Sequence, residues 1–512
     1  MIAAGVVLYL CYLHVSRTEG VLSDGASNAL QAWDMLHGNP LLRGWTVTDV
    51  SFYPTELPEY MLVEAVRGLH ADVLHTSAAI TYTLVVLAGG LLARGRAKGR
   101  EGLVRFAIAA GIIVAPQLGP GAFILVFQPD HIGTQVPLLA TWLVLDRAPR
   151  SWYVPPVVGV ILAWAAVADR LVILIGVVPL AAVCVIRAYQ ALVRRRERLP
   201  SAWFDLSLVV AACASVAISS AVVKLIGEHG GYTVQPVNLG VATLTEIPAH
   251  FRLAVQGVSG LYGADFFGMS SLGLNAGIAL LHLAGLALAA CGLWLVLRRF
   301  FRSDDLIAQI LALGIVINMV AYLANAMPTT YWSVREIAGV LPAGAVLAGR
   351  VLGSRMLSAR LMSAVAVVLA GYLAALGYTA AQPSVPAATQ DLADWLTAHH
   401  LSYGLSSYGL ANTTTLASGG AVDVRSVSWY KDDTVPGTEE FDRTWYDSRT
   451  HDANFVVLIN PAVRADPTAG WDVRAAFGPP ARPYHFGRYI IMTYATNLLT
   501  DLGPGLPRAA AS

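Results

Sequence analysis

The chain has 512 residues, 56% of them hydrophobic and 13% charged, with mean hydropathy +0.57 and a formal net charge of +1. Soluble domains carry roughly 25% charged residues, so this chain has more apolar surface than a water-soluble core can hide, and the excess must face lipid. No basic patch is interleaved with aromatics, so nothing points to nucleic acid; Cys11, Cys184, Cys213 and Cys291 all fall in apolar runs, which argues against a disulfide framework or a cysteine metal cluster.

The first apolar run, Ile2 to Val15, lacks a basic leader and a small-residue cleavage site and reads as an uncleaved first helix. Further runs follow at about 73–93, 103–127, 132–145, 154–168, 171–191, 204–226, 272–297, 306–326, 337–349 and 361–381. Together they predict an all-α polytopic bundle of about eleven membrane helices over 1–382. Several runs are shorter than the roughly 20 residues of a straight span, and the pairs of runs around Asp169 and Arg335 are the least clearly delimited. Lys and Arg concentrate in alternate short loops, at Arg94–Arg105, Arg147–Arg150, Arg194–Arg198, Arg298–Arg302 and Arg350–Arg360. The positive-inside rule makes these cytoplasmic and puts loops 17–72 and 227–271 and the tail outside. The tail, 383–512, changes composition abruptly after Pro383-Ser384-Val385-Pro386. A helical period over Asp391–His399 and strand-like runs Val422–Trp429, Phe455–Ile459 and Tyr489–Thr493 predict a small extracytoplasmic α/β domain.

The first outer loop is the most informative segment. Residues 23–40 read as an amphipathic helix, with Ser23 placed to cap it and Gly38 and Pro40 placed to end it. Asp24, Asn28 and Gln31 share one face at i, i+4 and i+7, opposite Ala26, Leu30 and Trp33. The pattern suits a helix lying on the membrane surface, apolar side down and polar side toward a cavity; a plain interfacial helix capped by Asp24 has the same pattern.

A short first helix, an acid in the loop after it, and a helical stretch carrying Ala32, Leu36 and Gly38 before a proline together resemble the GT-C glycosyltransferases. These are polytopic enzymes that draw sugars from polyprenyl-phosphate donors, and include protein mannosyltransferases, arabinosyltransferases and aminoarabinose transferases. The alternating basic loops and the soluble tail are similar too. Where that family often shows Asp-Glu, this chain has Asp24-Gly25. The resemblance implies an inverting transfer in which Asp24 takes the acceptor's proton, cationic side chains hold the lipid phosphate, and the acceptor is a glycan or a protein. Asp49 and Glu56 in the same loop are alternative bases, or ligands for a divalent cation, although no cofactor is demanded.

Four further features lie on the expected outer side. Asp130-His131 joins two apolar runs and suits a proton shuttle or a sugar contact, or a structural helix start. Asp169-Arg170, a charge pair in an apolar stretch, suits a phosphate or sugar contact, or a salt bridge in a tight hairpin. Loop 227–268 carries Glu228, His250, Arg252 and Asp265 without a pattern that assigns roles. Tyr331-Trp332-Ser-Val-Arg335-Glu336 looks like the arginine-bearing segment before a late helix in GT-C relatives, with Glu336 where an aromatic is usual; the resemblance implies that Arg335 meets the lipid phosphate. A Tyr331–Trp332 aromatic belt with an Arg335–Glu336 anchor is the structural alternative.

The expectation is therefore a cytoplasmic-membrane glycosyltransferase, with the Ala-, Gly- and Val-rich, Lys-poor composition of a high-GC bacterium. A transporter or lipid flippase would carry internal repeats and midplane charges, neither of which is seen. A non-catalytic scaffold using its tail as a binding module would tolerate loss of Asp24.

Overall fold

The computed structural model describes residues 2–114, 119–196, 198–235, 240–266, 273–430, 433–437, 439–460 and 471–503. Parts of the expected 103–127 and 272–297 runs, of loop 227–271, and of the tail fall outside the described residues.

Helix α1 (Ile2–Ser16) enters a first loop holding α2 (Ser23–Leu36), strand β1 (Trp45–Val47) and α3 (Glu56–Arg67). The bundle continues with α4 (Asp72–Arg94), α5 (Gly99–Val114), α6 (Gly119–Leu125), α7 (Gln135–Arg147) and α8 (Val154–Ala168). Next comes a helix whose centre is α9 (Val178–Tyr189), flanked by π-helical turns, and then α10 (Leu199–Glu228). A second loop carries β2 (Thr233–Val234) and α11 (Ile247–Leu261); α12 (Leu274–Arg298), α13 (Leu306–Ala324), α14 (Val340–Leu352) and α15 (Ala359–Ala380) complete the bundle. Every expected apolar run is at least partly helical. Among the described residues six helices are long and apolar enough to cross a membrane, or seven if Tyr331–Ile337 and Val340–Met356, bent by 46° to each other, form one span. Ile2–Ser16 and Val154–Ala168 are shorter apolar helices. The helices break at both Asp169 and Arg335: Asp169 leaves α8 in extended conformation, and Arg335 lies on a short 3-10 turn.

Small residues let the helices approach. The Arg105 carbonyl and the Ala93 and Ala109 methyls leave no room for a Cβ at Gly349, and Gly292 rests on the backbone at Ala348. At one end of the bundle Arg350 ties four elements together. It pairs with Asp146 of α7, with Asp305 before α13 at 2.6 Å, and donates to the Leu92 carbonyl of α4 at 2.8 Å. Arg96 and Arg147 cap carbonyls at that same end.

The opposite end carries the two loops and the C-terminal β-sheet domain. Its helices are α16 (Gln390–Ala398), α17 (Tyr408–Ala417) and α18 (Val473–Phe477). Its strands are β3 (Tyr403–Ser406), β4 (Asp423–Tyr430), β5 (Asp433–Pro436), β6 (Phe441–Asp442), β7 (Phe455–Ile459), β8 (Arg482–Phe486) and β9 (Tyr489–Thr493). Six of the strands form one sheet in the order β5-β4-β3-β7-β9-β8, with β3 parallel to β4 and β7 and the other pairs antiparallel. Apolar side chains bury both of its faces, as in a sheet packed on two sides. The remaining strand joins a second sheet, β2-β1-β6, built from both bundle loops and the C-terminal domain. Trp45 meets Trp445 edge to face across this seam, at 5.0 Å between rings.

Candidate functional site

The polar face of α2 lies at the seam between bundle and C-terminal domain. Asn28 donates to Asp130 at 3.0 Å, and Gln31 donates to Glu440 of the C-terminal domain at 3.3 Å. The expected surface-lying helix is corrected in one respect. Residues 25–32 are buried on all sides, because α3, the start of α4 and Leu416 of α17 close over the apolar face while the C-terminal domain covers the polar one. Ser23 makes no capping bond either; Leu22 is the extended residue that starts the helix, its carbonyl accepting from Ala26 at 2.9 Å. Asp24, on the first turn, stays 30% exposed.

Behind α2 a buried acid–imidazole pair is assembled from two helix breaks. His131 adopts φ 59°, an uncommon conformation for a non-glycine residue, which turns its ring toward Asp169 at 3.3 Å. Thr134 Oγ1 donates to the same Asp169 oxygen at 2.9 Å, and the Leu171 amide donates to the other at 2.7 Å. The amides of Ser51 and Phe52 donate to the Ala168 carbonyl and pin the first loop beside this pair. Burial alone would lower the His131 pKa, but the charges of Glu336 and Asp169 outweigh it and raise it to about 9. Burial pushes Asp169 up, yet the His131 bond and charge, with the Leu171 and Thr134 bonds, hold it below the usual carboxylate range. At neutral pH the two form an ion pair.

The front of the cluster is set by the 3-10 turn before α14. Arg335 Nη1 lies 3.3 Å from Asp24 Oδ2, and its Nε lies 3.9 Å from Glu336 Oε1. The guanidinium stands over the Trp332 ring at 5.3 Å. Glu336 in turn stands 3.7 Å from His131 Nε2. The side chains of Asp24, Arg335 and Glu336 are about one-third exposed, whereas His131 and Asp169 behind them are 4% and 1% exposed.

Thus Asp24, Asn28, Gln31, Asp130, His131, Asp169 and Arg335 come together. Two expected residues do not. Arg170 is exposed, whereas its neighbour Asp169 is buried, and its charge bears on Tyr232 of the second loop. Tyr331 packs its hydroxyl beside Gly260 of α11. A divalent cation also fails to find its ligands: among the described residues no three His, Cys, Asp or Glu side chains converge as a metal ion requires.

Sequence reasoning missed Glu440 and undervalued Glu336. Glu440 is 3% exposed, accepts from Thr48 at 3.1 Å and from Gln31, and lies beside the charges of Asp24 and Asp130. Tyr408 of α17 also faces Asp24. Burial first, and crowding second, keep protons on these acids. Asp130 is raised to about 7 by burial and by Asp24, against the opposing pull of His131, Arg335 and Asn28. Glu440 is raised to about 8 by burial and by Asp24. The arrangement offers a partly exposed carboxylate for proton transfer, a neighbouring guanidinium for an anion, and a buried set of acids behind them.

No family model and no curated protein matches this chain. Among solved structures it is similar to the oligosaccharyltransferase of Archaeoglobus fulgidus in complex with Zn and sulfate. The TM-score is 0.51 at 13% identity, over 88% of this chain and 67% of that one. It is also similar to ArnT from Cupriavidus metallidurans bound to undecaprenyl phosphate, with TM-score 0.45 and 15% identity over 98% of each chain. The first likeness shows the fold alone: like that oligosaccharyltransferase, the chain is a multi-pass membrane bundle with a C-terminal β-sheet domain.

Proposed function

We propose that this chain is a membrane glycosyltransferase that moves a sugar from a polyprenyl-phosphate donor to an extracytoplasmic glycan or protein acceptor. One observation carries the reading: Asp24 and Arg335, 311 residues apart, meet at 3.3 Å at the loop-bearing end of a GT-C bundle, backed by the His131–Asp169 pair. A fold hosts many activities, and it is the residues of this site that favour the transfer. The fold's occurrence in an oligosaccharyltransferase adds support. The arginine-rich turns at the opposite end support an outward-facing site and C-terminal domain.

In this reading Arg335 exchanges Asp24 for the donor's phosphate, which frees the carboxylate. The acceptor hydroxyl oxygen then bonds to the anomeric carbon as Asp24 takes its proton. The anomeric C–O bond to phosphate breaks, and its electron pair leaves on the lipid phosphate, held by Arg335. Attack from the side opposite the phosphate inverts the anomeric centre. Asn28 and Gln31 orient the groups behind Asp24, and Glu336 and Asp169 keep His131 charged near the leaving group.

The test is sugar transfer by the full chain in liposomes, using polyprenyl-phosphate-linked hexoses and pentoses as donors and a membrane extract as acceptor. Asp24→Asn should lose about 10²–10⁴-fold in turnover while inserting and melting like the parent. An unchanged rate in the variant, or no transfer from any lipid-linked donor by the parent, overturns the proposal.

A further inference from the structure

Helix α3 buries a stripe of polar groups that the reaction just described does not use. Glu56, Tyr60 and Glu64 recur at i, i+4 and i+8 and so share one face. They are 2%, 0% and 1% exposed. Their polar atoms are nevertheless poorly paired: one Glu56 oxygen, one Glu59 oxygen, both Glu64 oxygens and the Tyr60 hydroxyl have no hydrogen-bond partner among the described residues. Buried polar groups are nearly always paired, so five unpaired atoms on one three-turn helix call for an explanation. Gln31 Oε1 of α2 and Gln128 Oε1 of the α6–α7 loop are buried and unpaired as well.

The carboxyls of Asp130, Glu59, Glu56 and Glu64 all lie close enough to act on the Tyr60 hydroxyl. Glu56 also feels Asp169 and Asp130, and Gly133 has no space for a Cβ because the Glu56 carboxyl fills it. From α4, Thr81 donates to Glu59 at 2.7 Å. Asp130 connects this group to the front of the site, since it feels Asp24 and accepts from Asn28, one turn beyond Asp24 on α2. The oxygens do not converge on one point, and that spacing suits protons and bridging water better than a metal ion.

Resting on the transferase reading above, we infer that Glu56, Tyr60 and Glu64 form a proton store that drains the site through Asp130. Each transfer leaves one proton on Asp24, whose exposed side then faces donor and acceptor. That proton passes to Asp130 and on to the α3 stripe, where each carboxyl gives up its own proton as it receives one, and an equivalent proton leaves past Glu64 at the end of α3, where Ala65, Val66 and Arg67 are exposed. No oxidant or further reactant is involved. Burial supports the assignment, raising Glu56 to about 8, against the Thr55 bond, and Glu64 to about 9. The stripe therefore holds its protons at neutral pH and ionises when the medium turns alkaline.

Two measurements on the full chain in nanodiscs test it. Infrared titration reads the carboxylic C=O stretch whether or not transfer occurs. The parent should show protonated carboxyls at pH 7 that ionise above it, and Glu56→Gln and Glu64→Gln should each remove part of that band. Transfer kinetics then read the coupling. Glu64→Gln and Tyr60→Phe should lower kcat about tenfold with KM nearly constant, and should enlarge the solvent deuterium effect. Absence of protonated carboxyls at pH 7, or kinetics and isotope effects in both variants matching the parent, overturns the inference. If Asp24→Asn also retains transfer, the transferase site is the part that fails, and the infrared result still decides the stripe.

Discussion

Replacing Glu440 with Gln removes one ionisable group from the seam between the C-terminal domain and α2 while keeping the side chain's shape. In the native chain burial, then the charge of Asp24, lifts this carboxyl from 4.5 to about 8. Each pH unit is worth about 1.4 kcal/mol, so the ionised form costs about 5 kcal/mol in the folded chain. That is an upper bound, since side chains relax and water enters. Below about pH 4.5 Glu440 is protonated folded and unfolded, and contributes no pH dependence. Between about 4.5 and 8 the unfolded chain releases this proton and the folded chain keeps it, so stability falls as pH rises. Above about 8 both states are ionised and the slope ends. Glu440→Gln lacks this term throughout, and its amide still accepts from Gln31 or Thr48. The assay is thermal melting of both detergent-solubilised proteins from about pH 5 to about pH 9, with hydrogen exchange of the β1 and β6 amides as the local readout. The variant should gain on the parent by a few kcal/mol by pH 8 and by little at pH 5. A difference that stays constant across that range refutes the reasoning.

Three further outcomes follow from the same geometry. Arg335→Ala should raise KM for a lipid-phosphate donor about 10–100-fold, the worth of a charged hydrogen bond, with a smaller effect on kcat; donor titrations check it. Asp169→Asn should drop the His131 pKa from about 9 toward or below its ordinary 6.5, because burial is then less opposed; imidazole resonances followed by NMR against pH would show His131 neutral at pH 8. Arg350→Ala at the opposite end should destabilise the bundle by about 3–5 kcal/mol, because it leaves Asp146 buried without its cation, and should leave the donor KM untouched in protein that remains folded.

The helical period of Asp24, Asn28 and Gln31 was legible because spacing alone puts them on one face, and the strand runs Phe455–Ile459 and Tyr489–Thr493 coincide with β7 and β9. The burial of α2 was not, since an amphipathic helix at a lipid surface and one clasped between two protein layers have the same pattern. Glu440 carried no local signal: it lies just before β6, whose pairing with β1 helps bring it to Gln31, 409 residues away in sequence. Asp169 and Arg170 are neighbours in sequence, yet Asp169 is buried and Arg170 exposed, a difference that sequence adjacency does not show. Glu56 read as an alternative base or cation ligand and Glu64 carried no signal; only three-dimensional packing reveals that both are buried, with one Glu56 oxygen and both Glu64 oxygens left without a partner among the described residues.

The most direct measurement is a structure of the full chain bound to a polyprenyl phosphate. The phosphate should lie within hydrogen-bonding distance of the Arg335 guanidinium, with the 3.3 Å contact to Asp24 opened and the carboxylate facing the donor. A phosphate seated on Arg17 and Arg67 beside Asp72, or among the arginines at the opposite end, with Asp24 still clasped by Arg335, would contradict the account.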